Sequence, residues 1–154
     1  MTADSRDLYG VLRRVRPLHL LSARAVTAAL ESEQVTLGVR ALLETLNGSE
    51  PATVPAIGRL LSMPRQVIQR LVDQAIEQGL VATRPNPAHR RSPLIELTDE
   101  GRAAFERIHR AELHTLSTIA AALDPADVAA AVRVLDALVA GVARITGDHV
   151  EELT

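Results

Sequence analysis

The chain contains no cysteine, no lysine and no tryptophan, and Tyr9 and Phe105 are its only aromatic residues. The absence of cysteine excludes disulfides, thiolate metal sites and thiol redox switches. Because aromatic side chains are so few, a core must be assembled from aliphatic ones. The 24 alanines and 22 leucines of this 154-residue chain favour helices, and the length suits a single domain with helical extensions.

Several kinds of segment are also missing. The N-terminus has no basic stretch followed by an apolar one, and no uncharged apolar run is long enough to span a bilayer. We therefore expect a cytoplasmic protein without a signal peptide or membrane span. Glycine-rich phosphate loops, G-x-S-x-G turns and His-Glu-x-x-His motifs are absent, so we expect no enzymatic activity and no cofactor.

The five histidines raise the question of a metal site. His109 and His114 lie five residues apart and so do not share a helical face as an i, i+4 pair would. Glu106 and Glu112 could complete a carboxylate-histidine zinc site. Scattered surface histidines are the simpler interpretation, and no metal site is predicted.

The charge is distributed unevenly along the chain. All 17 basic residues are arginines, and with 19 acids the net charge is −2. Residues 1–51 hold six arginines and six acids, residues 52–98 six arginines and three acids, and residues 99–154 five arginines and ten acids. This asymmetry is typical of a basic, nucleic-acid-binding head on an acidic scaffold.

Apolar spacing and capping residues predict the helices of the first third of the chain. A first helix is predicted over about residues 4–32, with a kink or a break at Pro17. Thr36 is placed to cap a short helix that ends near Leu46, where the turn-forming sequence NGSEP follows.

The middle of the chain predicts two short helices in tight succession. Thr53 is a suitable N-cap for VPAIGRLL. SMPRQVIQRLVDQAIEQG follows at once, with Ser62 available as its cap and Gly79 as its C-terminal stop. The two helices meet across a turn at residues 61–63, which is the spacing of a helix-turn-helix.

The second of these helices has two contrasting faces. Apolar residues recur every four positions on one face, and polar residues occupy the other. Its first two turns contain Arg65, Gln66, Gln69 and Arg70 and no acid. Arginine and glutamine bond guanine and adenine edges bidentately, so this composition suits contact with bases in DNA.

A β-hairpin is predicted next. LVATR and PLIEL are short enough to be strands, and PNPAHRRS connects them. The connection begins with Pro85 and Pro87 and is followed by Pro93. These prolines limit strand pairing and stiffen the loop. We interpret Arg90 and Arg91 as residues at the tip of a wing, aimed at the phosphates and minor groove of DNA.

Two long helices are predicted at the C-terminal end. Thr98 is placed to cap one that runs to about Leu123, and Asp124 opens another that runs to about Thr146. The last helix carries an apolar seam of Val128, Val132, Leu135, Val139 and Val142. Its four-three-four-three spacing suits packing on another helix. Burial within the subunit explains the seam equally well, but a terminal helix has little local core to cover, so we favour a subunit interface.

The order of elements and three stretches resemble the MarR family of winged helix-turn-helix transcriptional regulators. The stretches are VTLGVRALLETL, TVPAIGRLLSMPRQVIQRLVDQAIEQGLVATR and NPAHRRSPLIELTDEG. The resemblance covers about residues 30–110, and LIELTDEG after an arginine-containing loop is its most specific part. It implies a mainly α fold with a small β-hairpin wing. A winged helix-turn-helix over residues 35–101 would be flanked by long N- and C-terminal dimerisation helices, over residues 1–34 and 102–154.

The resemblance also implies a function. The protein would be a homodimeric, sequence-specific regulator of transcription, a repressor released by a small molecule, whose partner is a pseudo-palindromic operator in double-stranded DNA. A recognition helix over residues 64–78 would enter the major groove and a wing over residues 85–93 the minor groove. The DNA-binding residues would be Thr53, Ser62, Arg65, Gln66, Gln69, Arg70, His89, Arg90 and Arg91. The family usually has an acid two positions before the wing arginine, where this chain has Ala88.

Two further expectations concern other partners. Members of the family commonly bind a small, often aromatic or anionic effector between the dimerisation helices and the head. Arg13, Arg16 and His19 could face such a crevice, with Arg40 opposite, although solvated or interhelical ion pairs explain these residues more simply. The alternative function is a winged-helix adaptor that binds an acidic protein partner and no DNA.

Overall fold

The computed structural model describes residues 4–146 as seven helices and three short strands. The helices are α1 (Ser5–Ala25), α2 (Thr27–Ser32), α3 (Leu37–Leu46), α4 (Val54–Leu60), α5 (Arg65–Glu77), α6 (Asp99–Ala120) and α7 (Pro125–Thr146). The strands are β1 (Ala52–Thr53), β2 (Val81–Arg84) and β3 (Leu94–Leu97). The mainly helical fold with a hairpin wing is confirmed, and residues 147–154 of the expected dimerisation region lie outside the described residues.

Capping side chains set the starts of three helices where the sequence placed them. Thr36, Thr98 and Asp124 each accept a hydrogen bond from a backbone N–H in the first turn of α3, α6 and α7, at 3.2, 2.9 and 2.7 Å. Each bond satisfies a donor that the helix itself leaves unpaired. The far end of α6 is less well predicted, because the helix ends at Ala120 rather than near Leu123.

Pro17, where the sequence predicted a kink or a break, does not break the first helix. α1 runs unbroken through Pro17, and the break lies at Val26, between α1 and α2. Proline removes one N–H donor, which leaves the carbonyl of Arg13 without its helical partner. Arg13 lies on an exposed stretch of α1, where water can replace the missing donor, so the helix continues.

Ser62 does not cap α5, contrary to the prediction. Its backbone is left-handed, with φ at 51°, and its N–H donates to the carbonyl of Arg59 at 3.1 Å. Ser62 therefore ends α4, in the left-handed position that commonly follows a helix. Pro64 takes the N-cap position of α5 without a side-chain bond.

The sheet has three antiparallel strands in the order β1-β3-β2. β2 and β3 form the predicted hairpin, with Arg84 opposite Leu94, so residues 85–93 form the connecting loop. β1 was not predicted, because two residues are too few to show alternation. Thr53 belongs to β1 and also caps α4, since its hydroxyl accepts the N–H of Ala56 at 3.4 Å.

Most of the core lies beneath the helix-turn-helix and the sheet, in the part of the chain we call the head, residues 35–101, and residues of α2 and α6 complete it. Its largest fully buried side chains are Leu42, Leu43, Ile57, Ile68, Ile95, Ile108, Val39 and Val72. Leu30 of α2 and Phe105 of α6 also belong to it. The core is otherwise aliphatic, as the composition requires, and it ties the first half of α6 to the head.

The long terminal helices carry apolar side chains that the described part of the chain leaves exposed. α1 has no buried residue, and Ala143 is the only buried residue of α7. The five seam residues of α7 are 37–53% exposed, so packing within the subunit does not account for the seam. Among residues 4–146, no helix combines the length and the hydropathy needed to cross a bilayer.

Candidate nucleic-acid interface

α5 exposes the face that the sequence marked for DNA. Ile68, Val72 and Ala75 are buried against the core. On the opposite side Arg65, Gln66, Gln69 and Arg70 are all exposed. The buried row is narrower than the sequence predicted, since Ile76 is 41% exposed. The helix is thus held by one face while its arginines and glutamines face outward.

Some polar side chains of this face already have a hydrogen-bond partner in the same chain, and others have none among the described residues. Gln69 donates from Nε2 to the carboxylate of Asp73 at 2.8 Å. Arg65 and Arg70 make no side-chain hydrogen bond or ion pair within the described part of the chain. Their charges are therefore available to an external anion.

A cleft of about 420 Å³ opens beside the turn of the helix-turn-helix. It is lined by Pro55, Gly58, Arg59, Ser62, Met63, Pro64 and Arg65. Arg59 and Arg65 approach it from either side of the turn, and no acidic residue lines it. Such a concave, positive surface suits a DNA phosphate. Arg59 lies within the basic segment of residues 52–98 but was not predicted as a site residue.

The C-terminal end of α5 is anchored to the start of α6. The hydroxyl of Thr98 donates to the carbonyl of Gly79 at 2.7 Å, and the N–H of Thr98 to that of Leu80 at 3.1 Å. A Cβ on Gly101 would lie 1.8 Å from the carbonyl oxygen of Leu80, so only glycine allows this approach. This explains the motif LTDEG: it fixes α5 relative to α6.

The wing loop projects from the sheet, with residues 87–91 exposed. Two backbone bonds shape it: the N–H of His89 donates to the carbonyl of Asn86 at 3.2 Å, and the N–H of Ser92 to that of His89 at 3.1 Å. Within residues 4–146, the side chains of Arg90 and Arg91 have no hydrogen-bond or ion-pair partner. The loop is not folded inward, and its tip is positive.

Two arginines at helix–helix contacts are ion-paired, unlike the arginines of α5 and the wing loop. Arg40 of α3 binds both carboxylate oxygens of Glu112 on α6, and also Glu44. Arg107 of α6 binds Glu33 at 2.7 Å and Glu100 at 2.9 Å. Hydrogen bonds to Glu112 and to Glu33, respectively, raise the pKa of Arg40 and Arg107 above their ordinary value. These arginines join helices and are saturated by acids.

The residues proposed to face an effector differ in exposure and pairing. Arg13, Arg16 and His19 are exposed on α1, and no hydrogen bond or ion pair among residues 4–146 joins them to Arg40. The side chain of Arg40 is 14% exposed and its Cζ atom lies 6.0 Å from the centroid of the Phe105 ring. Interhelical ion pairing therefore describes Arg40 in this structure.

His109 of α6 packs against structural neighbours. The ring of His109 stacks on that of Phe105, with centroids 5.5 Å apart, and its Nδ1 lies 3.7 Å from a carboxylate oxygen of Glu112. Among residues 4–146, no three histidine or carboxylate side chains converge as metal ligands would.

These features define a class of protein. A helix-turn-helix with a three-stranded sheet, a projecting hairpin and an outward-facing arginine and glutamine surface is a winged helix-turn-helix. Residues 34–92 match the family model described as MarR family.

Comparison with known proteins extends this match over most of the chain. A MarR family transcription regulator, SP03579, is 32% identical, and its crystal structure has a TM-score of 0.78 over 94% of this chain and 96% of that one. The uncharacterized protein Rv2011c of Mycobacterium tuberculosis is 33% identical over 126 residues, 82% of this chain and 80% of the relative. The protein belongs to the MarR family.

The fold also matches that of a more distant protein. A mutant of Escherichia coli MarR, solved in complex with operator DNA, has a TM-score of 0.73 and 20% identity, over 88% of this chain and 99% of that one. At this identity the likeness concerns the fold alone.

Proposed function

We propose that the protein is a homodimeric, sequence-specific DNA-binding regulator of transcription. The observation that carries this proposal is the contrast between two sets of arginines. Arg65, Arg70, Arg90 and Arg91 project from α5 and the wing without acidic partners in the described part of the chain. The interhelical arginines Arg40 and Arg107 are saturated by carboxylates. The E. coli protein that shares the fold is bound to operator DNA, which supports the same use of this surface.

In the proposed complex, the recognition helix (residues 64–78) enters the major groove and the wing (residues 85–93) the minor groove. Side chains at the start of α5 contact base edges, while arginines flanking the turn and in the wing neutralise phosphates. The DNA-binding residues are Thr53, Ser62, Arg65, Gln66, Gln69, Arg70, His89, Arg90 and Arg91. We add Arg59, which shares a cleft with Ser62 and Arg65.

The dimer is proposed from the uncovered apolar faces. Of the large hydrophobic residues that are exposed among residues 4–146, only Leu37 and Ile76 lie in the head, and the others lie on α1, on the second half of α6 and the turn after it, or on α7. A second copy would cover these faces, with residues 1–34 and 102–154 forming the dimerisation region. Two recognition helices would then lie about one DNA turn apart, so the operator would be pseudo-palindromic with half-sites about 10 bp apart.

The regulatory part of the proposal is repression relieved by a small molecule. An anionic effector between α1 and the head would meet Arg13, Arg16 and His19, which are exposed. It would reach Arg40 only by displacing Glu112 or Glu44 from that guanidinium. Screening aromatic carboxylates for release of operator DNA checks this part, and a molecule that binds the protein without releasing DNA contradicts it.

A salt-titrated gel shift tests the DNA-binding surface. We expect the doubly substituted R65A/R90A protein to bind operator DNA at least about 30-fold more weakly, since each contact contributes about 1–3 kcal/mol. The matched control R24A/R110A removes the same charge from exposed scaffold positions and should bind like the parent. The operator for this test comes from selection of bound fragments from random duplex DNA, inspected for two-fold symmetry. Equal affinities for the parent and R65A/R90A would overturn the assignment.

Single substitutions separate the two kinds of contact. Gln66→Ala should relax preference at particular base pairs, because a base-edge contact is lost. Arg90→Ala should weaken binding to all sequences and reduce the salt dependence. The competing adaptor hypothesis predicts weak retention on heparin and no enrichment in the duplex selection.

A further inference from the structure

Asn86 lies at the start of the wing loop and uses both ends of its amide within that loop. Its Oδ1 accepts a hydrogen bond from the N–H of Ala88 at 3.0 Å. Its Nδ2 donates across the loop to the carbonyl of Ser92 at 2.9 Å. The side chain of Asn86 thus supplies two of the bonds that close residues 86–92 on themselves.

The surroundings of Asn86 strengthen this closure. The first bond is a turn in which a side chain replaces a backbone acceptor, and such turns order short loops. Pro85 and Pro87 flank the asparagine and fix φ on both sides of it. Asn86 and Ser92 are half-buried, whereas every residue between them is exposed. The loop is therefore braced at its base and free at its tip.

The arginines at that tip have no acidic side chain to hold them among the described residues. Among residues 4–146, no carboxylate lies within ion-pairing distance of Arg90 or Arg91, and the nearest acid along the chain, Glu96, pairs with Arg84 on the strands below at 3.5 Å. The direction in which Arg90 and Arg91 point is therefore decided by the backbone of the loop. That backbone is held by Asn86.

We propose that Asn86 is the positioning residue of the wing. It touches no DNA, but it holds the 86–92 loop in one conformation so that Arg90 and Arg91 extend toward the DNA before binding. The inference rests on the proposed function, because it requires that the wing arginines contact DNA. Its physical basis is preorganisation: a loop ordered in advance loses less entropy when it binds.

The test is a double-mutant cycle on operator affinity. Asn86→Ala removes both bonds, and we expect it to weaken binding about three- to tenfold. In an R90A/R91A background the same substitution should have no further effect, because there are no arginines left to position. Asn47→Ala is the matched control: Asn47 is the only other asparagine, it is exposed, and its side chain makes no hydrogen bond in the described part of the chain.

Two further measurements separate positioning from general stability. The melting temperature of Asn86→Ala should equal that of the parent, because the loop lies outside the core. Backbone amide relaxation should increase at residues 88–91 and nowhere else. A fall in melting temperature with unchanged loop mobility would assign Asn86 a structural role only and would overturn the inference.

The outcomes also distinguish the inference from the function on which it rests. If R90A/R91A weakens binding and Asn86→Ala does not, the positioning role is wrong and the DNA-binding wing stands. If Asn86→Ala weakens binding equally in both backgrounds, the asparagine does not act through the arginines and the inference fails. If R90A/R91A binds operator like the parent, the proposed role of the wing fails, and the positioning role with it.

Discussion

The head and the terminal helices contain apolar residues at the same helical spacing, yet they bury them to very different extents. In α3, Leu42 and Leu43 are completely buried, whereas every residue of the α7 seam is exposed. α3 packs against α4, α5 and α6, whereas residues 4–146 leave the seam of α7 uncovered. An apolar stripe therefore shows that a helix face requires something to pack against. Only the tertiary structure shows whether that packing partner lies in the same chain.

The sharpest test of this comparison is a leucine truncation in α3. Leu42→Ala should lower the free energy of unfolding by about 2–5 kcal/mol, because it opens a cavity in a fully buried site. Leu37→Ala on the same helix is the control, since Leu37 is 39% exposed, and should cost far less. Urea denaturation followed by circular dichroism, at one fixed protein concentration, measures both. Equal losses would contradict the burial pattern of the head.

The next effect concerns the ion pair that joins α3 to α6. Arg40→Met leaves Glu112, whose side chain is only 12% exposed, without its main partner. We expect a loss of roughly 2–3 kcal/mol, below the value for a fully buried pair. Arg110→Met, at an exposed position of α6, is the control in the same denaturation experiment. If R40M/E112L were less stable than R40M, the loss would not come from the stranded carboxylate.

A charge placed on the α7 seam tests whether a second copy covers the terminal helices. Val132→Asp should raise the dimer dissociation constant about 10- to 100-fold, because an unpaired carboxylate would be buried at the interface. Ala137→Asp provides the control, since position 137 lies on the opposite side of the helix. Sedimentation equilibrium measures both constants. A dimer unaffected by Val132→Asp would place the interface elsewhere.

The smallest expected effect is a pH dependence at the α2–α6 contact. The hydrogen bond from Arg107 lowers the pKa of Glu33 below its ordinary value of 4.5. The carboxyl group of Glu33 therefore binds its proton more weakly in the folded state than in the unfolded state. The ion pair of Glu33 and Arg107 consequently stabilises the fold above pH 4.5. The contribution is lost as the pH falls through the folded-state pKa. Glu33→Gln should be slightly less stable than the parent at pH 7, with the difference disappearing in acid.

The control for that experiment is Glu31→Gln, at an exposed position in the last turn of α2, two residues before Glu33, without a described ion pair. Thermal melts of both variants between pH 3 and pH 7 make the comparison. A difference between Glu33→Gln and the parent that grew toward low pH would contradict the sign of the shift.

Features set by residues close together in sequence were predicted correctly, whereas features that depend on distant residues were missed or misassigned. Helix starts capped by Thr36, Thr98 and Asp124 were predicted correctly, because a cap bonds within its own turn. Ser62 was assigned to the wrong helix, since its role depends on where α4 ends. β1 was missed, and Glu112 was not identified as the ion-pair partner of Arg40, because both features require residues far away in sequence: β3 for the strand, and α6 for the arginine.

In the candidate site, too, the features that follow from local sequence pattern were predicted, and those set by the folded geometry were not. The exposed arginines and glutamines of α5 followed from a helical repeat, and the wing followed from prolines between two apolar runs. Arg59 and Asn86 were not singled out, because a cleft and a cross-loop hydrogen bond are set by folded geometry. Nothing in the local pattern distinguishes Arg59 from any other surface arginine.

The sequence by itself determined which segments are largely helical, which residues cap α3, α4, α6 and α7, that the core is aliphatic, and that positive charge concentrates between residues 52 and 98. These properties depend on backbone propensity and on neighbours within a turn or two. Only the tertiary structure decided which apolar faces are buried, which arginines are neutralised by acids, and how the wing loop is braced. Those outcomes require groups distant in sequence to meet, and the fold alone brings them within bonding distance.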